Sequence, residues 1–291
     1  MAEFEWNHQY ADLPDLRVHY LRHGAGMPLI LQHGWPEFWY VFHKNIPELS
    51  QHFDIIVPDL RGSGDTDKPG GNPSMEDYVA DLKAFVGHLG LERFGIVTHD
   101  VGPWIVQPFA RQNPDRLSGI FFFDCPYPGV GDRFYAPDHV KEVWYQTFHQ
   151  MPFAADLVGS SWDNCRAYFA YFLAHWTHDP HAFDSDLDAW ADNYMKPGNL
   201  QGGFDWYVAA QEMRMRFVRG EVADFSPITV PTCVRWGEHD QIIKAEWRDR
   251  MGEFFTNIDV GLLEGVGHFP HYEAPDRANA EIIKFFSSLA G

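Results

Sequence analysis

The chain has 291 residues, of which 45% are hydrophobic and 16% aromatic, and its formal net charge is −19. This charge argues against nucleic-acid and anionic-membrane partners, because both require a basic surface. No run of the sequence reaches the roughly 18 apolar residues of a membrane span. The three cysteines, Cys125, Cys165 and Cys233, lack metal-ligand spacing and, with an acidic N-terminal segment, predict a cytoplasmic protein.

Short apolar runs alternate with helix-like segments in the first part of the chain. Strands are predicted at 29–32, 54–58, 95–98 and 120–123, and helices at 38–49 and 78–89. Ser74 and Asp77 have the spacing of a capping box ahead of the second helix. Apolar runs of this length that are separated by helices indicate a parallel sheet covered on both faces.

The pattern changes at about residue 133, after which only helix-like segments rich in aromatic residues occur. Strand patterns return at 232–235 and 260–263, before a final amphipathic helix at 275–289. We therefore predict an α/β core domain formed by residues 1–132 and 226–291. Residues 133–225 would form a helical lid inserted into that core.

The segment 95–104 carries the first candidate catalytic residue. A buried strand runs into His99-Asp100-Val101-Gly102, and a helix follows, which is the strand–turn–helix context of a hydrolase nucleophile. Asp100 stands where serine is usual. A carboxylate nucleophile suits displacement at an sp³ carbon, because it forms an alkyl ester that water can later cleave. The alternative is that Asp100 only caps the helix.

Further segments supply what such a nucleophile needs. Trp35, in the loop after the first strand, and Val101, after the nucleophile, would donate the two N–H groups of an oxyanion hole. His268, in a glycine-flanked loop after the last strand, would be the general base. Asp240, after the preceding strand, would orient that base. The chain order of nucleophile, acid and histidine is that of a hydrolase triad.

From about residue 17 to the C-terminus, the chain resembles the epoxide hydrolases of the α/β-hydrolase fold. The similarity rests on HGWPEFWY at 33–40, DLRGSGDTDKP at 59–69, HDVG at 99–102, WGEHDQII at 236–243 and GHFPHYEAP at 267–275. The resemblance implies a mostly parallel central sheet with helices on both faces and an inserted helical lid. It also implies hydrolysis of an epoxide to a vicinal diol through a covalent ester on Asp100.

The resemblance further implies two lid tyrosines that donate hydrogen bonds to the epoxide oxygen. Tyr145 lies in the segment WYQTFHQMP at 144–152, and Tyr207 lies in GFDWY at 203–207. Acidic O–H donors are needed there, because ring opening by a carboxylate otherwise expels a strongly basic alkoxide.

Three alternatives stay open at this stage. The core motifs are shared with haloalkane and haloacetate dehalogenases, so a hydrolytic dehalogenase with the same triad is one alternative. Val101 stands where epoxide hydrolases often have Trp, and haloalkane dehalogenases use a Trp there to hold the halide. A ligand-binding relative without turnover is the second alternative. Asp124, which follows the strand at 120–123, is an alternative to Asp240 as the acid.

The expected partner is a small, apolar to moderately polar substrate, and the sequence leaves homodimer formation open. No cofactor or metal is expected, because the chain has neither an HExxH motif nor a glycine-rich phosphate loop.

Overall fold

The computed structural model describes residues 4–219, 221 and 224–289. An eight-stranded sheet forms its centre, in the order β1-β2-β4-β3-β5-β6-β7-β8. The strands are β1 (His8–Asp12), β2 (Arg17–Gly24), β3 (Pro28–Gln32), β4 (Asp54–Pro58), β5 (Phe94–His99), β6 (Leu117–Phe123), β7 (Thr232–Gly237) and β8 (Ile258–Leu263). β2 pairs antiparallel with β1 and β4, whereas β3 to β8 pair in parallel. The sheet is therefore mostly parallel, as predicted.

The predicted central strands are confirmed, and they are buried on both faces. β4 and β5 have no exposed residue along their whole length. Parallel strands lie between layers of helices, which explains why these strands appear in the sequence as continuous apolar runs. β1 and β2 were not predicted, because their histidines, arginines and other polar residues interrupt any apolar run.

The α-helices that the structure describes are α1 (Ile46–Leu49), α2 (Met75–His88), α3 (Pro103–Gln112), α4 (Trp144–Phe148), α5 (Ala154–Val158), α6 (Trp162–Trp176), α7 (Leu187–Tyr194), α8 (Asn199–Val218), α9 (Pro270–Glu273) and α10 (Pro275–Ser288). α2 begins at the predicted capping box: the Ser74 hydroxyl accepts from the N–H of Asp77, and the Asp77 carboxylate accepts from the N–H of Ser74. This pair satisfies two N–H groups that have no partner within the helix.

The prediction of one helix over 38–49 was wrong. A short 3₁₀-helix covers Trp39–Phe42, and α1 begins only at Ile46. Pro47 in the first turn of α1 has no N–H for a preceding turn, and its ring would clash with such a turn, so one continuous helix cannot form. The N–H of Trp39 is instead bonded to the buried carboxylate of Asp59, at 2.8 Å.

Between β6 and residue 219, the described residues form helices and connecting turns without a strand. A 3₁₀-helix at Pro128–Tyr135 already begins this region before the predicted lid boundary at 133. The other predicted boundary, near 225, adjoins residues 220, 222 and 223, which lie outside the described part of the chain. The exact division into core and lid domains stays a prediction.

Among the helices that the structure describes, none has both the length and the apolar character needed to cross a bilayer.

Candidate active site

Asp100 lies in the sharp turn between β5 and α3. Its φ of 51° is in the left-handed region, which is costly for a residue with a side chain and is found mainly where neighbouring structure enforces it. The turn also needs a small residue at Gly102, because a Cβ there would lie 1.8 Å from Thr98 Oγ1. This geometry is that of a nucleophile elbow, which presents the side chain at the carboxyl end of the central strand.

The two carboxylate oxygens of Asp100 have different neighbours. Oδ1 accepts a hydrogen bond from the backbone N–H of Trp35 at 2.9 Å, whereas Oδ2 lies 3.4 Å from His268 Nε2. The Trp35 loop approaches this closely only because Gly34 precedes it: a Cβ at Gly34 would lie 2.6 Å from Asp100 Cβ. Val101, the second predicted N–H donor, lines the cavity beside Asp100.

His268 lies between two carboxylates. Its Nδ1 is 2.8 Å from Asp240 Oδ2, on the side of the ring opposite to Asp100. Asp240 is held in turn by the backbone N–H groups of Ile242 and Ile243, at 2.7 and 3.0 Å from Oδ1. Burial by itself lowers the pKa of His268, but the nearby carboxylates of Asp240 and Asp100, with the hydrogen bond to Asp240, outweigh it and raise that pKa well above the usual value. The imidazole therefore holds a proton readily while Asp100 is ionised.

Asp124, the alternative acid, lies at the end of β6, next to the end of β7. Its Oδ1 accepts a hydrogen bond from the N–H of Gly237 at 2.8 Å, and its buried Oδ2 has no hydrogen-bond partner among the described residues. Burial and the neighbouring charge of Asp240 raise the pKa of Asp124 well above its usual value. Asp124 is therefore better suited to stay protonated than to stabilise an imidazolium.

A buried pair of Glu37 and His99, which the sequence did not reveal, connects the loops of the site. Glu37 Oε1 lies 2.7 Å from His99 Nδ1, and Glu37 Oε2 accepts from the N–H of Gly34. His99 Nε2 lies 2.6 Å from the backbone oxygen of His268. Burial by itself raises the pKa of Glu37, but His99 and His271 hold that pKa well below its usual value.

The ring of His99 therefore lies between the carboxylate of Glu37 and the backbone oxygen of His268, with one ring nitrogen at hydrogen-bond distance from each. The pair joins the loop of Trp35, the end of β5 and the loop of His268. The signal in the sequence was weak: Glu37 falls within the HGWPEFWY segment, and His99 directly precedes Asp100.

The two predicted lid tyrosines contact each other and line the same cavity as Asp100. Tyr145 and Tyr207 are both buried, their rings are 5.4 Å apart and nearly perpendicular, and the ring of Tyr145 stacks on Trp35 at 5.2 Å. Burial raises the pKa of Tyr145, and the negative charge of Asp100 raises it further. Burial, Tyr145 and Asp100 raise the pKa of Tyr207 in the same way. Both phenols therefore keep their protons over the ordinary pH range and remain donors.

These residues line one cavity of about 320 Å³. Its floor is formed by Asp100 and Val101, and Tyr145 and Tyr207 contribute from the lid. The remaining wall is largely aromatic and aliphatic, with Trp104, Phe134, Trp206, Ile242 and Ile243 among its members. A cavity of this size and composition fits a small, mainly apolar molecule. A second, larger cavity of about 510 Å³ lies between α2, α3 and α8, and shares Trp104, Met213 and Phe225 with the first.

Comparisons with known proteins agree with this architecture. A family model described as the alpha/beta hydrolase fold matches residues 27–275. The chain is 30% identical to the soluble epoxide hydrolase of Corynebacterium sp. (strain C12) over 98% of this chain and 99% of that protein. The family model confirms the predicted fold class, and the relative confirms the predicted resemblance to epoxide hydrolases.

Solved structures give the same result. The epoxide hydrolase CorEH without ligand superimposes with a TM-score of 0.87 at 29% identity, over 98% of this chain and 100% of that one. An epoxide hydrolase from Bacillus megaterium in complex with an inhibitor superimposes with a TM-score of 0.85, over 96% of this chain and 100% of that one. At 22% identity, the second match supports the fold alone.

Proposed function

The chain belongs to the epoxide hydrolase family of the α/β-hydrolase fold, and on this basis we propose that it hydrolyses an epoxide to a vicinal diol through a covalent ester on Asp100. The observation that carries the proposal is the environment of the Asp100 carboxylate. One oxygen is bound by the N–H of Trp35, and the other lies beside His268 at the floor of a cavity that two phenols line.

In the first step, an Asp100 oxygen attacks an epoxide carbon in line with the C–O bond. Tyr145 and Tyr207 donate hydrogen bonds to the oxygen that leaves that carbon, and one of them supplies the proton that gives the hydroxyl group. Such proton transfer contributes about 10²- to 10⁴-fold to a rate. The raised pKa of each phenol makes it a weaker acid, but it also keeps the donor protonated, which is the state that the step requires.

In the second step, His268 removes a proton from a water molecule that attacks the carbonyl of the ester. Esterification removes the negative charge of Asp100, which is one of the causes that raise the pKa of His268. The imidazole then loses its proton more readily and is present in the neutral form, which can accept a proton from water. The N–H groups of Trp35 and Val101 would stabilise the oxyanion of the tetrahedral intermediate, each by about 3 kcal/mol. As this intermediate collapses, the protonated His268 gives its proton to the departing alkoxide and the diol is released. The second proton of the water molecule leaves the Asp100 carboxyl group and returns to the phenolate, which restores both Asp100 and the tyrosine.

A turnover screen tests the proposal directly. One preparation of the protein is incubated with a panel of terminal and internal epoxides, haloalkanes and haloacids, and diol and halide release are measured. We expect diol formation. Halide release without diol formation would instead establish a dehalogenase, and binding without any turnover would establish a ligand-binding relative.

The His268→Gln variant should form the ester but fail to release it, because the histidine is required only for the water step. Intact-mass measurement after addition of an epoxide that the wild type hydrolyses should show one adduct per chain. Steady turnover at the wild-type rate would contradict the assignment of His268 as the base.

The acid can be identified by comparing Asp240→Asn with Asp124→Asn. Loss of the carboxylate that orients a triad histidine lowers turnover on the order of 10⁴-fold in serine hydrolases, and we expect a loss of this kind in ester hydrolysis for Asp240→Asn. Asn at position 124 closely matches a protonated carboxyl group, so the loss should be smaller there. Single-turnover decay of the ester is the measurement, and the reverse order would assign the role to Asp124.

A further inference from the structure

Arg214 is a cation in the wall of the catalytic cavity. Two other arginines follow it near the end of α8, and both are paired outside the cavity. Arg216 pairs with Glu76 and Glu221, and Arg219 lies 2.8 Å from Glu212. Arg214 lines the cavity together with Asp100 and forms no ion pair with any carboxylate in the described part of the chain.

Within the part of the chain that the structure describes, the contacts of Arg214 leave most of its donors unused. Its Nη2 donates to Gln146 Oε1 at 2.7 Å, and its guanidinium carbon lies 5.2 Å from the centre of the Tyr135 ring. A guanidinium has five N–H donors in a planar fork that matches a carboxylate. One hydrogen bond and one ring contact do not satisfy this capacity in a half-buried position.

The charges around the cavity make this arrangement unusual. The other charged lining residues are Asp100 and the exposed Asp132, and the chain as a whole has a formal net charge of −19. An anionic substrate would be repelled by this field unless a local cation compensated for it. Leaving a half-buried cation without an anion is unfavourable in itself, so a bound anion would complete the site.

We propose that Arg214 binds a carboxylate carried by the epoxide substrate, an inference that rests on the proposed epoxide hydrolysis. Arg214 lies seven residues after Tyr207, two helical turns along the same face of α8. Gln146 bridges its guanidinium and the hydroxyl of Tyr145, from which Gln146 Nε2 lies 3.4 Å. The carboxylate would therefore lie several bonds from the epoxide ring, towards the lid.

Three matched probes test this role: 6,7-epoxyheptanoate, its uncharged amide 6,7-epoxyheptanamide, and 1,2-epoxyoctane. The wild type should prefer the carboxylate to the amide, and added salt should weaken this preference. Arg214→Gln should lower kcat/KM for the carboxylate by about 10- to 100-fold, the range of a lost hydrogen-bonded charge. The other two probes should change little. Arg219→Gln removes the same charge from the outer surface and is the matched control.

Calorimetric binding of heptanoate provides a readout that does not depend on turnover, and Arg214→Gln should lose this binding. An equal loss of kcat/KM on all three probes would mean that Arg214 acts only through Gln146 and Tyr145, and would overturn the proposal. An unchanged preference for the carboxylate would overturn it as well. Arg214-dependent binding of heptanoate without turnover of any epoxide would instead refute the proposed hydrolysis and leave the anion site standing.

Discussion

Replacing Asp100 with Asn should abolish epoxide hydrolysis, with a loss on the order of 10⁶-fold, the size seen when a triad nucleophile is removed from a serine hydrolase. The amide oxygen of Asn is a poor nucleophile, so no ester should form. The fold should survive, because Asn tolerates the left-handed backbone of the elbow and can still accept a hydrogen bond from the N–H of Trp35. Rapid-quench detection of the adduct and of diol is the measurement.

The same variant allows a second measurement, the pKa of His268, which requires no substrate and no turnover. Asp100 is one of the groups that raise the pKa of His268, so removing its charge should lower that pKa relative to the wild type. An NMR titration of the imidazole measures the difference. The pKa of His268 should fall even without substrate, because Asn at position 100 lacks the negative charge, as the ester intermediate also does.

Asn can deamidate to Asp, so intact-mass or peptide-mass measurement must accompany every assay. Near-normal turnover by a preparation that contains only Asn would remove Asp100 as the nucleophile. A variant that is inactive but has an unchanged His268 pKa would contradict the proposed coupling of Asp100 to the base.

Much of the fold followed from short-range patterns. The buried parallel strands are continuous apolar runs, and the capping box at Ser74 and Asp77 specifies where α2 begins. β1 and β2 could not be found in this way. Their register is specified by pairing with each other and with β4, which is a long-range property that a local run of polar residues does not contain.

The residues of the candidate site that could be predicted from the strand pattern are those that follow a predicted strand. Asp100, Asp240 and His268 come after β5, β7 and β8, and the carboxyl ends of parallel strands share one edge of a sheet. The Glu37–His99 pair was not predictable, because its meaning depends on burial and on the carbonyl that His99 meets across the site. Arg214 was not predicted as a site residue for a similar reason. Only the tertiary structure shows that it lines the cavity, whereas Arg216 nearby in the sequence forms ion pairs outside it.

The second large effect concerns the lid. Replacing both Tyr145 and Tyr207 with Phe should leave epoxide opening nearly inactive, because no phenol would remain to protonate the departing oxygen. Each single variant should slow ester formation by about 10- to 100-fold, less than the 10²- to 10⁴-fold of a complete general-acid contribution, because the other phenol remains as a donor. Phe keeps the ring, so the stacking of residue 145 on Trp35 and the perpendicular contact with residue 207 should persist.

Tyr194→Phe is the matched control for these variants. Tyr194 is also a buried lid tyrosine, but its hydroxyl has no hydrogen-bond partner among the described residues and it does not line the cavity. Its loss should leave ester formation near the wild-type rate. Rapid mixing must be used, because a slow ester hydrolysis step would hide a change in ring opening from a steady-state assay.

A halide leaves as a weak base and needs no proton, so dehalogenation would depend far less on the two phenols. The double variant therefore separates epoxide chemistry from the chemistry that the core motifs share with dehalogenases. Ring opening by Tyr145→Phe, Tyr207→Phe at the wild-type rate would show that the lid supplies no acid. The lid would then no longer favour an epoxide over a halide as the substrate, even if Asp100 is the nucleophile.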